Sequence, residues 1–114
     1  YSLPSLPSTE LHYEHIGCFK DHWPPKLLEI LEGNQNVSNI LNNHYKRRND
    51  LVHKCFLAAE KLGYKMFGVQ DNGMCVSSED AQFKYSKFGT STACIDGNGG
   101  PLTNDIYRIT PKTK

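Results

Sequence analysis

With 114 residues, 13 basic and 12 acidic side chains and a formal charge of +1, the chain has the size of a single domain. That balance excludes nucleic-acid binding by electrostatics, which needs a clustered basic excess to neutralise phosphates. No apolar run approaches the roughly 18 residues required to span a bilayer. The one basic run, Lys46-Arg47-Arg48, stands among Asn and Asp and reads as a solvated turn.

Residues 1–10 open with Y-S-L-P-S-L-P-S-T, a Pro/Ser composition that favours extended chain and packs little, so they read as a leader or linker before a single domain over 11–114. His12 to Lys20 carries Tyr13, Ile16, Cys18 and Phe19 without helical spacing and predicts a strand. Trp23-Pro24-Pro25 ends it, since proline cannot donate to a ladder but suits the first turn of a helix. A short helix is expected over Pro25 to Glu32, carrying Leu27, Leu28, Ile30 and Leu31 and stopped by Gly33. Gly33 to Arg48 is Asn-rich and aperiodic, a surface excursion with a helical turn around Ile40 and Leu41.

The main helix falls at Asp50 to Leu62. Asn49 or Asp50 caps it, Leu51, Val52, Cys55, Ala58, Ala59 and Leu62 recur at helical spacing, and Gly63 closes it. Tyr64 to Ser77 predicts a hairpin around Asp71-Asn72-Gly73. A two-residue loop would put Val69 and Cys75 on opposite faces, whereas a three-residue loop with Gly73 left-handed puts Phe67, Val69 and Cys75 on one core face. Ser78 then caps a second helix through Phe88, ended by Gly89. Ile95 to Pro101 is a glycine-rich loop, and Asp105 to Thr110 a closing strand. This order defines an α+β fold, a small antiparallel sheet with one main helix packed on it.

The four cysteines, Cys18, Cys55, Cys75 and Cys94, lie at intervals of 37, 20 and 19 residues. Metal-binding cysteines come in short C-x₂₋₄-C hooks, and none is present. An even count in a small chain reads instead as two disulfides in a secreted or cell-surface protein. The sequon Asn36-Val37-Ser38 is compatible with export and with a glycan on Asn36.

The segments I-G-C-F-K-D (16–21), K-C-F-L-A-A-E-K-L-G-Y-K-M-F-G-V-Q (54–70), N-G-M-C-V-S (72–77) and N-D-I-Y-R (104–108) resemble the WSC domain and its PAN/apple-like relatives. Closer still is the resemblance to four-cysteine extracellular modules of marine invertebrates. The resemblance covers about Ile16 to Arg108 and implies an extracellular recognition module with carbohydrate or protein ligands. Of three possible disulfide pairings, Cys55–Cys75 and Cys18–Cys94 are expected. Cys55 lies on the helix's core stripe, Cys75 reaches the same core through the three-residue loop, and a helix-to-hairpin bridge is similar to that of PAN-like domains. The second pair ties the opening strand to the segment before the closing one.

Catalytic signatures such as G-x-S-x-G, H-E-x-x-H or a phosphate loop do not occur, and the cysteines are expected to be oxidised, so no enzyme and no cofactor is predicted. The five histidines read as solvated rather than metal-binding. The loop from Asp96 lacks the acidic ligands and closing Glu of a calcium loop, although Asp96, Asn98 and Asp105 could supply oxygens if brought together. Among the aromatics Trp23, Tyr45, Phe83, Tyr85, Phe88 and Tyr107, exposed rings could stack on sugar C–H faces; Trp23 is expected to be exposed, Phe88 and Tyr107 to be core. The expected glycan site is made of Trp23 with Gln70, Asp71, Asn72, Asn98, Asn104 and Asp105 as polar partners. The rival reading is a protein-interaction, structural, adhesion or toxin-like module without glycan affinity.

Overall fold

A computed structural model describes residues 11–22 and 27–111. The expected leader over 1–10 and the Trp23-Pro24-Pro25 segment lie outside these residues. Five strands form one antiparallel sheet: β1 (Leu11–Lys20), β2 (Glu29–Ile30), β3 (Met66–Gln70), β4 (Met74–Ser77) and β5 (Thr103–Pro111), in the order β1-β5-β3-β4-β2. Helix α1 (Leu51–Lys61) covers one face and the one-turn helix α2 (Ala81–Lys84) the other. Two 3₁₀ turns, Gln35–Val37 and Tyr45–Arg47, punctuate the long excursion before α1. This is the α+β architecture expected from the element order.

Beneath α1 lies the larger core. Cys55, Ala58 and Ala59 of the helix meet Phe67, Val69, Cys75 and Tyr107 of the sheet, with Val52 packed against them. Tyr13 joins edge-on to Phe67 and Tyr107, and Phe67 stacks on Tyr107 at 5.0 Å and 11°. Beneath α2 the core is thinner: Leu28, Met66, Val76, Ala81 and Ile106, flanked by Ile16, Phe19, Met74 and Tyr85. Gly68 sits centrally there because a Cβ would stand 2.9 Å from Val76 Cγ2 and 3.1 Å from Ile106 Cδ1.

A bulge decides which face the first cysteine takes. Pairing runs Tyr13↔Ile109 and His15↔Tyr107, then slips to Gly17↔Ile106 and Cys18↔Asp105. The extra residue, Ile16, turns Cys18 onto the α1 face alongside Tyr13 and His15; an unbroken period of two would have placed it opposite. There Cys18 bonds Cys94, and Cys55 bonds Cys75, so the expected pairing is the observed one.

Three local expectations change. No helix forms within Leu27–Glu32: Leu27 donates its N–H to Asp21 Oδ1 and Leu31 donates to Cys75 O, so the backbone bonds go to the sheet and Glu29–Ile30 becomes its edge strand. The second helix is one turn, with Asp80 rather than Ser78 at its N-cap; turns follow it through Phe88 to Gly89. Around 71–73 the loop does have three residues, Gln70 pairing Met74, but Asp71 and Asn72 take the left-handed values (φ 49° and 63°) while Gly73 has φ 139°. Asp50 precedes α1 as expected, at φ 54° and without a side-chain cap.

Candidate functional site

Because neighbouring strands are antiparallel, Asp21–His22 after β1, the β3–β4 loop, Pro101–Leu102 before β5 and the entry to α1 gather at one end of the sheet. The loops there are joined backbone to backbone: Asp71 donates to Gly100 O at 3.0 Å and Asp21 donates to Leu102 O at 2.8 Å. Five non-glycine residues adopt positive φ among the described residues. Asp50, Asp71, Asn72 and Leu102 lie on these end loops, and Asp96 lies on the loop that folds back over the sheet from them.

Buried side chains enforce this shape. Asp105 accepts the Gly99 N–H at 2.8 Å through Oδ2 and contacts His15 Nε2 at 2.6 Å through Oδ1. The Tyr107 hydroxyl donates to Gly97 O at 2.6 Å; burial first, then the nearby Asp105 charge, pushes its phenol up to about 12. Gly99 lies so close to the sheet that a Cβ would fall 2.1 Å from Val69 O. At the tip, Gly100 and Thr103 exchange backbone bonds across Pro101-Leu102, a turn whose second central position wants glycine but holds leucine at φ 50°.

A second anchor is Asp21. Its Oδ1 accepts from the His22 and Leu27 N–H groups at 2.6 and 2.7 Å, and its Oδ2 accepts from Gln70 Nε2 and Asn104 Nδ2 at 2.9 and 3.1 Å. Gln70 Nε2 also donates to Asn104 Oδ1 at 2.8 Å. One carboxylate thus fixes both flanks of the segment around Trp23 to the sheet. The third anchor is Arg48, whose guanidinium grips Glu32 through two nitrogens at 2.6 and 3.0 Å while Glu32 Oε2 accepts the Cys75 N–H. Arg48 is therefore not part of a solvated basic turn: its side chain is fully buried.

The residues expected to bind ligand separate accordingly. Gln70, Asn104 and Asp105 are interior, holding loops in place. Asn72 is exposed and Asp71 half-buried on the loop at that end, and half-buried Asn98 lies on the loop folded back from it; Trp23 lies outside the described residues. Beside them stand Tyr45, one of the rings considered for sugar stacking, Lys46 of the basic run, and His44, which is not among the expected site residues. The His44 and Tyr45 rings stack at 4.6 Å, the Tyr45 hydroxyl donates to Asp71 Oδ2 at 2.7 Å, and Lys46 Nζ lies 3.9 Å from the same oxygen. That hydrogen bond, with burial and the Asp71 charge behind it, raises the Tyr45 phenol above its usual value. Asp96 is exposed and Asp105 has both oxygens engaged, so the three oxygen donors considered for calcium are not turned to one point. Phe88, expected in the core, is 39% exposed, with His22 against its ring.

Among the described residues no helix is long and apolar enough to cross a membrane, and no group of three or more His, Cys, Asp or Glu side chains is placed to hold a metal ion. No protein-family model matches the chain, and neither does any curated protein.

Proposed function

We propose that the chain is a secreted, non-enzymatic recognition module that binds glycans weakly through the loop end of its sheet. The observation that carries this reading is the gathering of the five described positive-φ non-glycine residues on those loops and the one folded back from them. Such strain costs on the order of 1–3 kcal/mol per residue and collects where a ligand surface must be pre-shaped. Asp71, Asn72 and Asn98 offer carboxylate and amide groups for sugar hydroxyls, and the stacked His44 and Tyr45 rings offer a flat apolar face. Two disulfides suit an oxidising compartment, and exposed Asn36 is accessible to a glycosyltransferase. The resemblance to WSC and PAN-like modules points the same way.

One observation favours the rival reading, a protein-interaction or adhesion module. Leu102 and Ile95 are 47% and 62% exposed on the same loops, and apolar tips of this kind suit a protein partner. A glycan array probed with the oxidised protein separates the two. Glycan binding that falls in Asn72→Gly, which keeps the backbone conformation and removes the amide, supports the glycan reading. No signal above background for any glycan class rejects it.

A further inference from the structure

The opposite end of the sheet carries a feature unconnected with these loops. Between the turn after α1 and the segment around α2 runs a cleft of about 740 Å³, within the range of small-ligand sites. Its lining includes Glu29, Lys65, Glu79, Gln82 and Phe83. Three properties of that lining narrow what it can hold.

Phe83 is 84% exposed, the most exposed large hydrophobic side chain described, on a helix whose core contact comes from Ala81. Gln82 Oε1 is buried without a hydrogen-bond partner, an acceptor lacking a donor. Among the described residues neither Glu29 nor Glu79 forms an ion pair, whereas Asp80, also in the lining, is held at 3.0 Å by Lys84 and kept below the usual carboxylate range by the Ser78 hydroxyl and Lys84. Among the described residues Lys65 is the only lining cation outside that pair. The unsatisfied chemistry is thus acceptors and negative charge beside an open aromatic face. Neutral sugars supply donors but leave the carboxylates unbalanced; an alkyl ammonium or guanidinium supplies donors, charge and an attraction to the ring together.

We propose that this cleft is a second binding site that takes a cationic side chain, an arginine or lysine displayed by an extracellular partner, with Phe83 as the cation–π plate and Glu79 and Glu29 as counter-charges. The test is an NMR titration of the isotope-labelled, oxidised protein with N-acetyl-arginine methyl ester and N-acetyl-lysine methyl ester. The citrulline analogue serves as the neutral isostere and maltose as the neutral sugar. Saturable shifts of the Gln82 side-chain amide and of the Lys65, Glu79 and Phe83 signals are expected with the two cations alone. Glu79→Gln and Phe83→Ala should each weaken that binding about two- to fivefold. Equal shifts with the citrulline analogue, shifts with maltose instead, or no saturable shift with either cation overturns the proposal. Because the loop end takes no part, these outcomes are independent of the glycan reading.

Discussion

At the loop end of the sheet, buried side chains reach outward to hold irregular backbone: Asp105 on Gly99, Tyr107 on Gly97, Asp21 on His22 and Leu27. The far end has the opposite construction. There no described non-glycine residue is strained, the helix is one turn long, and an open cleft leaves Phe83 in solvent. The contrast teaches that anchoring by buried side chains is local and is concentrated where the chain is least regular. A loop that must keep positive φ at Asp71, Asn72, Asp96 and Leu102 needs anchors in the core, whereas a shallow cleft needs only the edges of elements already present.

The sharpest way to break the contrast is to cut the tether of the folded-back loop. Cys18–Cys94 closes 76 residues, so replacing both by Ser should cost up to about 4.5 kcal/mol in the loop-entropy picture, against about 3 for Cys55–Cys75 with its separation of 20. Denaturant titration of the two double variants checks the order. Mapping of the unreduced protein should recover those two pairs and no free thiol; Cys18 linked to Cys55 would contradict the architecture.

Next in size is Ala59→Asp, which places a charge at a fully buried position of α1 and should cost about 3–4 kcal/mol. A melting temperature like that of the parent would show the helix face to be misassigned. The same lesion scale does not apply at the far end, where Phe83→Ala should stay within about 0.5 kcal/mol of the parent.

Relief of strain gives the opposite sign. Leu102→Gly removes a side chain that is half in solvent from a turn position that wants glycine, and should stabilise the fold by about 1 kcal/mol. If the loop end is a recognition surface, that gain comes with weaker ligand binding, the usual exchange of stability for function. Stability and binding measured on one preparation show whether the two move apart.

A further effect appears only at alkaline pH. Tyr107 keeps its proton to about 12 in the folded chain and loses it near 10 when unfolded, so between those values the folded state binds more protons. Its contribution is fully present below pH 10 and is lost as pH rises to 12. The alkaline decline in stability should therefore flatten in Tyr107→Phe, which also frees Gly97 O, and phenolate absorbance should show one late-titrating tyrosine missing.

What could be read in the sequence follows from the range over which each signal acts. Helix α1 and the hairpin are written in local periodicity and turn residues, and Cys55 and Cys75 each sit within such a signal, so their shared core face was legible. Leu27 to Leu31 looks like a helix because its leucines have that spacing, yet the bonds that decide it come from Asp21, just before the segment, and from Cys75, far along the chain. Arg48 shows the same limit: a basic triplet looks solvated until Glu32, 16 residues away, folds over it. Gln70 and Asn104 looked like surface amides for a sugar because nothing nearby in sequence announces Asp21, the acceptor that keeps them inside. The cleft around Phe83 was illegible for a complementary reason, since it is made from the ends of three separate elements.

The central claim is that ligand recognition belongs to the strained loop end, and residue-by-residue mapping of a bound glycan tests it most directly. With the isotope-labelled, oxidised protein and the glycan selected on the array, saturable shifts should appear at Asp71, Asn72, Asp96 and Asn98 and in the Tyr45 ring, with the β1–β5 ladder unmoved. Shifts confined to Lys65, Gln82 and Phe83 at the far end, or the absence of any saturable shift, would contradict it.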